Sequence, residues 1–337
     1  MATVGNTVIT LMDIARRTED KKIAKIIEVL HDTNEILQDI PYMECNDGDQ
    51  HVTTIRTGLP TVAWKRFNYG VQSSKSQTQQ ISEATGLLRA YSKIDKDLAE
   101  KNGNVNDVRA SEDVAFLESM NQEHSSKMFY GNVTTEPETF NGLATRFYQG
   151  QATKDDTKIG YQLIDGGGVG ADNSSIWLIG WGEFSVFGLY PKSERAGFEM
   201  EDMGIETETV NGRTNRYYMS EYSWRTGLCV RDWRYIARIC NIDVSELGDA
   251  GESTYNGAAL IQLMIRAIHK LPKTRLARRV FYANETVMTA LDLIRNFDSR
   301  VQLSIAEVDG MEVMSFRGIP IRECEAILDS ESAVSFV

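Results

Sequence analysis

The chain has 337 residues, of which 42% are hydrophobic and 25% are charged, a composition typical of a folded globular protein. This length allows one large domain or two modest ones. The net charge of −12 excludes a protein that binds nucleic acid electrostatically over its whole surface, because such binding depends on Lys and Arg that neutralise phosphates. That charge is still compatible with a container that holds nucleic acid without gripping it.

The N-terminus lacks a basic segment followed by an apolar run, so no signal peptide is predicted. The most apolar window, Ile176–Tyr190, contains Glu183 and is too short to span a bilayer. We therefore expect an intracellular, soluble chain with no membrane partner. The cysteines show no metal-ligand or redox spacing, and we expect reduced, buried thiols at Cys45, Cys229, Cys240 and Cys324.

Apolar residues at helical spacing predict two short amphipathic helices in residues 1–41, with a break around Thr18–Asp20. An amphipathic segment needs a surface to cover. That surface is either the chain's own core or a neighbouring subunit.

Residues 42–75 predict a two-stranded ribbon. The runs His51–Pro60 and Thr61–Gln72 lie on either side of a Gly58–Pro60 turn, and neither face of the second run is cleanly apolar. A polar ribbon of two strands does not fold stably alone. It therefore either sits on a sheet or projects as an arm that contacts with a partner would order.

Two segments follow the ribbon. Ser73–Gln80 is polar and of low complexity, and we expect it to be mobile or exposed. Ile81–Asp97 fits two patterns: Leu87 and Tyr91 suit a helix, whereas Leu88 and Ala90 suit a strand. The pattern leaves both structures open.

The stretch Asp107–Asn132 predicts one long, mostly solvated helix at 107–131. Three residues, Asn106, Asp107 and Ser111, are candidate N-caps, and Gly131 is expected to end the helix in the left-handed conformation. The predicted apolar stripe consists of Val114, Leu117, Met120, His124 and Met128.

Residues 133–243 predict mainly strands and loops. Val133–Gln149 is expected to be a loop with a short helical turn, and Asp165–Gly170 a flexible loop. Ser175–Tyr190 is nearly continuously apolar, as in one strand buried on both faces. Arg216–Asp243 is strand-like. The acidic cluster is expected to be a solvated loop, and it consists of Glu199, Glu201, Asp202, Glu206 and Glu208.

The last hundred residues predict helices and strands in irregular order. Ala258–Leu271 is a buried helix, and a strand at Val280–Ala283 precedes a helix that Asn284 caps and that ends at Phe297. Val301–Leu328 predicts a hairpin with an Asp309–Gly310 turn, closed by Ile319–Ile321 at a sheet edge. The fold class is α+β rather than an alternating βαβ series.

No pattern of catalytic chemistry is present. The triple glycine at 166–168 is not followed by the Gly-Lys-Ser/Thr of a phosphate-binding loop, the four histidines lie far apart, and the acidic cluster lacks the spacing of a calcium-binding loop. We therefore predict no catalytic residue, no cofactor and no metal, and a protein that is not an enzyme.

Five stretches resemble the major capsid protein of tailed bacteriophages, which has the HK-ninety-seven-like fold, and most closely its short podovirus-type group. GLPTVAWKRFNYGVQSSKSQT resembles the extended arm of that group, and FLESMNQEHSSKMFYGN resembles its spine helix. The others are GLYPKSERAGFEMEDMG, WRTGLCVRDWRYIARICNID and the closing hairpin FRGIPIRECEAIL. Together they span the chain from Gly58 to Leu328.

The resemblance implies an N-terminal arm at 1–41, an extended loop with its return strand at 42–95, a peripheral domain at 96–241 that contains the spine helix, and an axial domain at 242–337, the last two interleaved. It implies self-assembly into hexamers and pentamers of an icosahedral shell that encloses double-stranded DNA without sequence-specific binding. A negative inner surface would not trap that DNA. A scaffold and a portal are implied as partners and a cement protein is allowed, with assembly in the host cytoplasm and a final place in the virion capsid.

The arm would supply the contacts between subunits, because aromatic residues and Arg are enriched in interface cores. The predicted contact residues are Trp64, Lys65, Arg66, Phe67 and Tyr69. The alternative for each aromatic residue is packing within its own chain. One relative of this fold cross-links subunits through a Lys–Asn bond, but no motif around Lys65 or Lys75 supports it, and we expect no cross-link.

Two other functions compete with this one. The first is an encapsulin-like shell, which has the same fold but holds protein cargo. The second is an α+β enzyme with an unrecognised site near Asp165–Asp172 and the acidic 199–208 segment.

Overall fold

The computed structural model describes residues 35–101, 105–151, 158–192, 194, 196–210, 213–247, 257–273, 277–297, 303–308 and 311–337. The sequence predicts two short helices in residues 1–41, and the described part of that segment contains a short helix at Glu35–Asp39. The part before residue 35, with the break at Thr18–Asp20, lies outside the described residues. The Asp309–Gly310 turn of the terminal hairpin does so too.

The described residues form an α+β structure. Two short 3-10 helices, Ile159–Gln162 and Trp233–Tyr235, join the regular elements. The helices are α1 (Glu35–Asp39), α2 (Lys96–Lys101), α3 (Val105–Tyr130), α4 (Gly257–Lys270) and α5 (Glu285–Phe297). The strands are β1 (Tyr42–Glu44), β2 (Gln50–Gly58), β3 (Gln77–Ala84), β4 (Gly86–Asp95), β5 (Leu163–Asp165), β6 (Asn173–Trp181), β7 (Val186–Tyr190), β8 (Phe198–Val210), β9 (Arg213–Val230), β10 (Ile236–Asp243), β11 (Arg278–Ala283), β12 (Leu303–Val308), β13 (Met311–Phe316) and β14 (Ile319–Glu323).

Most strands belong to one mixed sheet. Its main path runs β12-β13-β14-β11-β6-β7-β9-β4, with β8 beside β9, β10 beside β6, β5 beside β10 and β1 beside β7. Strands β2 and β3 form a separate two-stranded sheet. The main sheet thus joins strands that precede residue 242 to strands that follow it.

Strand β6 lies at the centre of the core, and all nine of its residues are buried. Trp177 and Ile179 pack on one face in a cluster that includes residues of α3. Ile176 and Leu178 pack on the other face against α4 and α5. Burial of each such side chain contributes about 1.5–3 kcal/mol, so the predicted burial on both faces, now confirmed, is the main source of stability in this layer.

The apolar segment 175–190 forms two strands, so its prediction as a single strand is wrong. A turn at Gly182–Ser185 separates β6 from β7, because the Ser185 N–H donates to the Gly182 carbonyl oxygen at 3.0 Å and the Ser185 hydroxyl donates to the Gly180 carbonyl oxygen at 2.7 Å. These bonds satisfy the backbone of a reversal inside an otherwise apolar run. Glu183 and Phe184 are exposed at its tip.

The predicted long helix is confirmed as α3, the spine helix, which starts and ends within two residues of its predicted bounds. Four residues of the predicted stripe are buried: Leu117, Met120, His124 and Met128. Val114 is exposed, and Asp113 is buried in its place, because the Tyr222 hydroxyl donates a hydrogen bond to the Asp113 carboxylate. A hydrogen-bonded carboxylate can be buried at low cost, so Asp113 faces the core where a hydrophobicity pattern predicts Val114.

The predicted N-caps of α3 are wrong, whereas the predicted stop at Gly131 is confirmed but for a different reason. The candidate caps Asn106, Asp107 and Ser111 lie inside the helix, which already begins at Val105. At the other end Gly131 does follow the last helical residue, but its φ angle is not positive. Glycine is needed there for a close approach: the Gly142 N–H donates to the Gly131 carbonyl oxygen at 2.8 Å, and a Cβ on Gly131 would lie 2.6 Å from the Lys127 carbonyl oxygen.

The ambiguous segment 81–97 is a strand for most of its length. In β4 the residues on one face are half-buried or buried, and those on the other face are exposed except for the half-buried Asp95. The inward residues include Leu88, Ala90, Ser92 and Ile94, as the strand pattern predicted. Pairing with β9 over ten residues decides between the two patterns.

The loop after β5 is anchored rather than flexible, so that prediction is wrong. The Gly166 N–H donates to the Cys240 carbonyl oxygen and the Gly168 N–H to the Asn241 carbonyl oxygen, both at 2.8 Å. The loop after the spine helix agrees with its prediction, since Phe147 closes one helical turn on Leu143 at 3.1 Å.

The C-terminal third contains the predicted elements. Helix α4 and strand β11 lie at their predicted places, and the Asn284 side chain accepts a hydrogen bond from the Val287 N–H at the start of α5. Strand β14, however, lies between β13 and β11 and not at the sheet edge. Pro320 is tolerated at this interior position because it pairs with β13 alone. The pairing of β14 with β11 begins one residue later, at Ile321.

The C-terminal tail is fastened to the core by a buried ion pair. The Arg238 guanidinium donates to the Glu331 carboxylate at 3.0 Å and to the Ser175 hydroxyl at 3.1 Å, and it lies over the Trp177 ring. Tyr130, the last residue of the spine helix, also donates to Glu331. The sheet, the spine helix and the tail therefore meet at one carboxylate. The four cysteines are buried, as predicted, and are free thiols.

We expect Gly142→Ala to destabilise the fold by about 1–3 kcal/mol, the usual cost of overpacking a core. A Cβ at this position would lie 2.7 Å from the carbonyl oxygens of Lys127 and Phe129, which the end of the spine helix holds in place. Gly70→Ala is the matched control, because a Cβ there meets no atom within 4 Å. Urea unfolding of the two variants measures the difference, and equal midpoints would contradict this account.

A second prediction concerns acid stability. His124 stacks on Trp224 at 4.1 Å between ring centroids, and burial lowers its pKa to about 3. The unfolded chain binds a proton at this residue below about pH 6.5 and the folded chain does not, so stability falls as the pH falls from about 6.5 towards 3.

The test is urea unfolding at pH 7 and pH 5 of the wild type and of His124→Phe. The wild type should lose about 2 kcal/mol more between these pH values than the variant, which lacks the titrating group. The same pH-dependent loss in both proteins would show that His124 does not carry it.

Candidate functional site

The arm is the ribbon of β2 and β3. These strands pair antiparallel from Gln50 with Ala84 to Gly58 with Gln77 and stand apart from the main sheet. The prediction of a ribbon is therefore confirmed, but its second strand is Gln77–Ala84 and not 61–72. Residues 61–72 have no strand to pair with, and they belong to a loop at residues 59–76, the arm loop.

The arm is firmly attached at its base. Glu83, near the end of β3, is buried and accepts hydrogen bonds from the Arg146 guanidinium, one of them at 2.8 Å. Thr85 donates from its N–H and its hydroxyl to the Asp49 carbonyl oxygen, both at 3.0 Å. These contacts fix where the ribbon leaves the core.

The arm loop makes few contacts with the rest of the described chain. Within it, the Ser74 hydroxyl donates to the Thr61 carbonyl oxygen at 2.6 Å, and a turn at Phe67–Asn68 closes when the Tyr69 N–H donates to the Arg66 carbonyl oxygen at 3.2 Å. Asn68 adopts a φ of 62°, which asparagine tolerates better than most residues. The polar end of this loop, Ser73–Ser76, is exposed, and the other half of the predicted exposed segment, Gln77–Gln80, is exposed within β3.

All five predicted contact residues lie in the arm loop and are exposed: Trp64, Lys65, Arg66, Phe67 and Tyr69. Leu59 and Val62 beside them are exposed as well. None of the three aromatic side chains packs against the described residues of its own chain. The loop carries the cations Lys65, Arg66 and Lys75 and no carboxylate. Such a set of exposed apolar residues marks an interaction surface.

A second surface has the opposite charge. Strands β4, β9 and β8 pair side by side, and one face of this part of the sheet packs Tyr222 and Trp224 towards the spine helix. The other face carries the exposed residues Glu199, Glu201, Glu206, Leu87 and Tyr91 and the half-buried Glu208. We call these six residues the acidic sheet face.

Part of this charge is already paired. Lys93 binds Glu208 at 2.8 Å, and Arg89 binds Glu221 at 2.9 Å. Asp202 points to the inner side and binds Arg109 of the spine helix at 2.8 Å. Within the described part of the chain no ion pair is present for Glu199, Glu201 or Glu206.

Sequence reasoning missed that the acidic cluster is a strand. The segment is solvent-exposed, as predicted. It is a strand and not a loop, however, because β8 pairs with β9 along its whole length. The signal that could have shown it is the spacing of two between Glu199 and Glu201 and again between Glu206 and Glu208. A bulge between Asp202 and Gly204 shifts the register and hides that alternation.

Known capsid proteins are similar to this chain over almost its whole length. The family model described as "Major capsid protein GP7" matches residues 18–335. The chain is also similar to a solved structure from bacteriophage Epsilon15, at 36% identity and a TM-score of 0.70, with 99% of each chain covered.

The chain belongs to this family of major capsid proteins. It is a structural protein of a bacteriophage capsid shell, it has the HK-ninety-seven-like fold, and its place is in the virion. The resemblance found in the sequence is confirmed. The family match names a phage capsid protein and favours neither an encapsulin-like shell nor an enzyme.

Other solved capsid structures are more distant. The bacteriophage JBD30 capsid protein shares 7% identity with the capsid protein described here, over 86% of this chain and 90% of that one, with a TM-score of 0.47. The capsid protein of a native GTA particle shares 10% identity over 60% of this chain and 88% of that one, with a TM-score of 0.43.

No curated protein sequence matches the chain. Of the helices within the described ranges, none combines the length and the apolar character needed to cross a membrane.

Proposed function

We propose that the capsid protein assembles into hexamers and pentamers of an icosahedral shell that encloses double-stranded DNA, and that the arm loop joins each copy to a neighbour. The observation that carries this proposal is the exposure of Trp64, Phe67 and Tyr69 at the tip of a ribbon whose base is fixed to the core. Covering each of these side chains would contribute about 1.5–3 kcal/mol. The described part of their own chain does not supply this contribution.

We assign the parts of the shell subunit as the sequence suggested: an N-terminal arm at 1–41, an extended loop with its return strand at 42–95, a peripheral domain with the spine helix at 96–241 and an axial domain at 242–337. The main sheet supports interleaved domains, since β6 pairs with both β10 and β11. A scaffold, a portal and a cement protein remain proposed partners, with assembly in the host cytoplasm. The role is structural and without catalysis or covalent cross-linking, and denaturing gels of intact shells would show single chains rather than ladders.

The acidic sheet face of a neighbouring copy is the surface we propose for the arm loop. Its carboxylates complement Lys65 and Arg66, and its exposed Tyr91 and Leu87 offer apolar contacts to the aromatic residues. The two surfaces differ, so their contact is heterologous, and repetition by rotation closes a ring. This is the contact geometry that a capsomer requires.

The first test removes the aromatic anchors. Trp64→Ser with Phe67→Ser should leave a folded chain that forms shells at less than about a tenth of the wild-type yield, because hot-spot aromatic residues each contribute about 2 kcal/mol or more to an interface. The matched control is Tyr148→Ser with Val169→Ser, which changes two exposed apolar residues outside the arm. Light scattering and electron microscopy measure the yield, with scaffold protein present if the wild type needs it. Normal shells from the arm variant would reject the proposal.

The second test exchanges charges between the two surfaces. Lys65→Glu with Arg66→Glu should reduce assembly, and so should Glu199→Lys with Glu201→Lys, because each pair places like charges together at the contact. All four substitutions in one chain restore opposite charges and should recover most of the yield. If the fourfold variant assembles no better than the poorer pair, the acidic sheet face is not the partner of the arm loop.

A further inference from the structure

One stretch of the chain has a charge opposite to that of the whole. Between Glu252 and Glu285 there is no Asp or Glu, although the chain has a net charge of −12. The same stretch contains six cationic residues: Arg266, Lys270, Lys273, Arg275, Arg278 and Arg279. Four of them fall within the seven residues 273–279, a density typical of segments that contact polyanions.

The fold places further cations beside this stretch. Trp181, the last residue of β6, pairs with Arg278 at the start of β11, and Val186 at the start of β7 pairs with Val230 at the end of β9. Three connections therefore meet at one end of the main sheet: the β6–β7 turn, the β9–β10 connection and the described parts of the α4–β11 connection. We call this surface the basic sheet end, and its cations are Arg231, Arg234, Lys273, Arg278 and Arg279.

Contacts around Gly180 confirm that these connections touch. A Cβ on Gly180 would lie 3.2 Å from the Cβ of Ala277 and 3.3 Å from the Cβ of Tyr235, so the α4–β11 and β9–β10 connections flank the end of β6. The Arg279 guanidinium donates to the Pro272 carbonyl oxygen at 2.5 Å and holds its connection against the sheet. The cations are thus positioned by folded structure.

The carboxylates nearby do not balance these cations. Asp232 pairs with Arg234 at 2.7 Å. Asp39 pairs with Arg278 at 2.8 Å, but it is buried and shared with Arg322 at 3.1 Å.

The remaining groups leave a surplus of positive charge. Glu183 in the β6–β7 turn is the other acidic residue that we find in the described parts of the three connections. Lys273 is exposed, and Arg231 lies over the Phe184 ring at 5.0 Å, a contact that leaves its charge uncompensated.

We propose that the basic sheet end binds the phosphate backbone of the enclosed nucleic acid. A protein partner would need apolar anchors, and in the described parts of these connections Phe184 is the one large hydrophobic side chain that is exposed. Protein–DNA interfaces are more polar and more positive than protein–protein interfaces, and the guanidinium group matches phosphate with two parallel hydrogen bonds. Arginine supplies most of the cations here. The contact is independent of base sequence, because no helix or ribbon that could enter a groove projects from the described parts of these connections.

This proposal rests on the proposed enclosure of DNA, but the DNA binding that it predicts can be measured on the isolated chain. A few phosphate contacts give weak, salt-sensitive binding, with a slope of about −0.9 in the logarithm of affinity against the logarithm of salt for each contact. Such a site would order the DNA next to the shell without immobilising it. The negative charge of the rest of the chain would confine the contact to this surface.

The experiment measures binding of the purified full-length chain to a mixed-sequence 30-base-pair DNA by fluorescence anisotropy, from 20 to 200 mM salt. Arg231→Gln with Lys273→Gln should weaken binding at least about tenfold at low salt and reduce the salt slope by about 2. Neither residue has an ion pair within the described ranges, so the fold should survive, and circular dichroism checks this. The matched control Lys192→Gln removes an exposed cation elsewhere and should leave the slope unchanged.

Three outcomes would overturn the proposal: no binding by the wild type at 20 mM salt, equal binding by the double variant, or displacement of the DNA by poly-glutamate at equal charge. The last result would show a docking surface for protein carboxylates. The assay needs no shells. Normal assembly of the arm variants would therefore contradict the proposed function, whereas unchanged DNA binding by the Arg231 and Lys273 variant would contradict only the present proposal.

Discussion

The structure depends on the burial of one strand on both faces. Strand β6 carries Trp177 and Ile179 to one cluster and Ile176 and Leu178 to the other, so both layers of the protein use the same backbone. A strand in this position cannot shift by one residue, because every side chain would then exchange layers. The ion pair of Arg238 and Glu331 reinforces it, since removal of either partner would leave a buried charge uncompensated.

The arm has the opposite physical character. The core satisfies its apolar groups within one chain, whereas Trp64 and Phe67 at the tip of the arm are fully exposed. The salt bridge of Glu83 with Arg146 fixes the direction in which the ribbon leaves, so the tip is presented rather than free to collapse onto the core. A subunit with a complete core and exposed apolar residues on its arm is suited to the shell that we propose, in which the arm loop of each copy contacts a neighbour.

Charge is distributed unevenly in the same protein. A net charge of −12 conceals a cationic arm loop, an acidic sheet face and a basic sheet end. Opposite charges on different surfaces of identical copies favour heterologous contacts and oppose contacts between like surfaces. The overall charge therefore says little about binding, whereas the contacts that we propose depend on the local charges.

The sequence by itself determined the elements that depend on local patterns. The spine helix, α4 and the Asn284 cap of α5 follow from periodicity and from side-chain bonding to nearby backbone. For the run from Trp64 to Tyr69, which has no cleanly apolar face, the sequence left both packing within the chain and exposure on an arm open. Tertiary structure alone decided the rest. The partner of β2, the break at Gly182–Ser185 and the interior place of Pro320 depend on which distant strand lies alongside, and Gly131 is required by a chain that passes close to it eleven residues later. The acidic strand β8 and the basic sheet end were missed for the same reason, because residues far apart in the chain share a surface only when the sheet has formed.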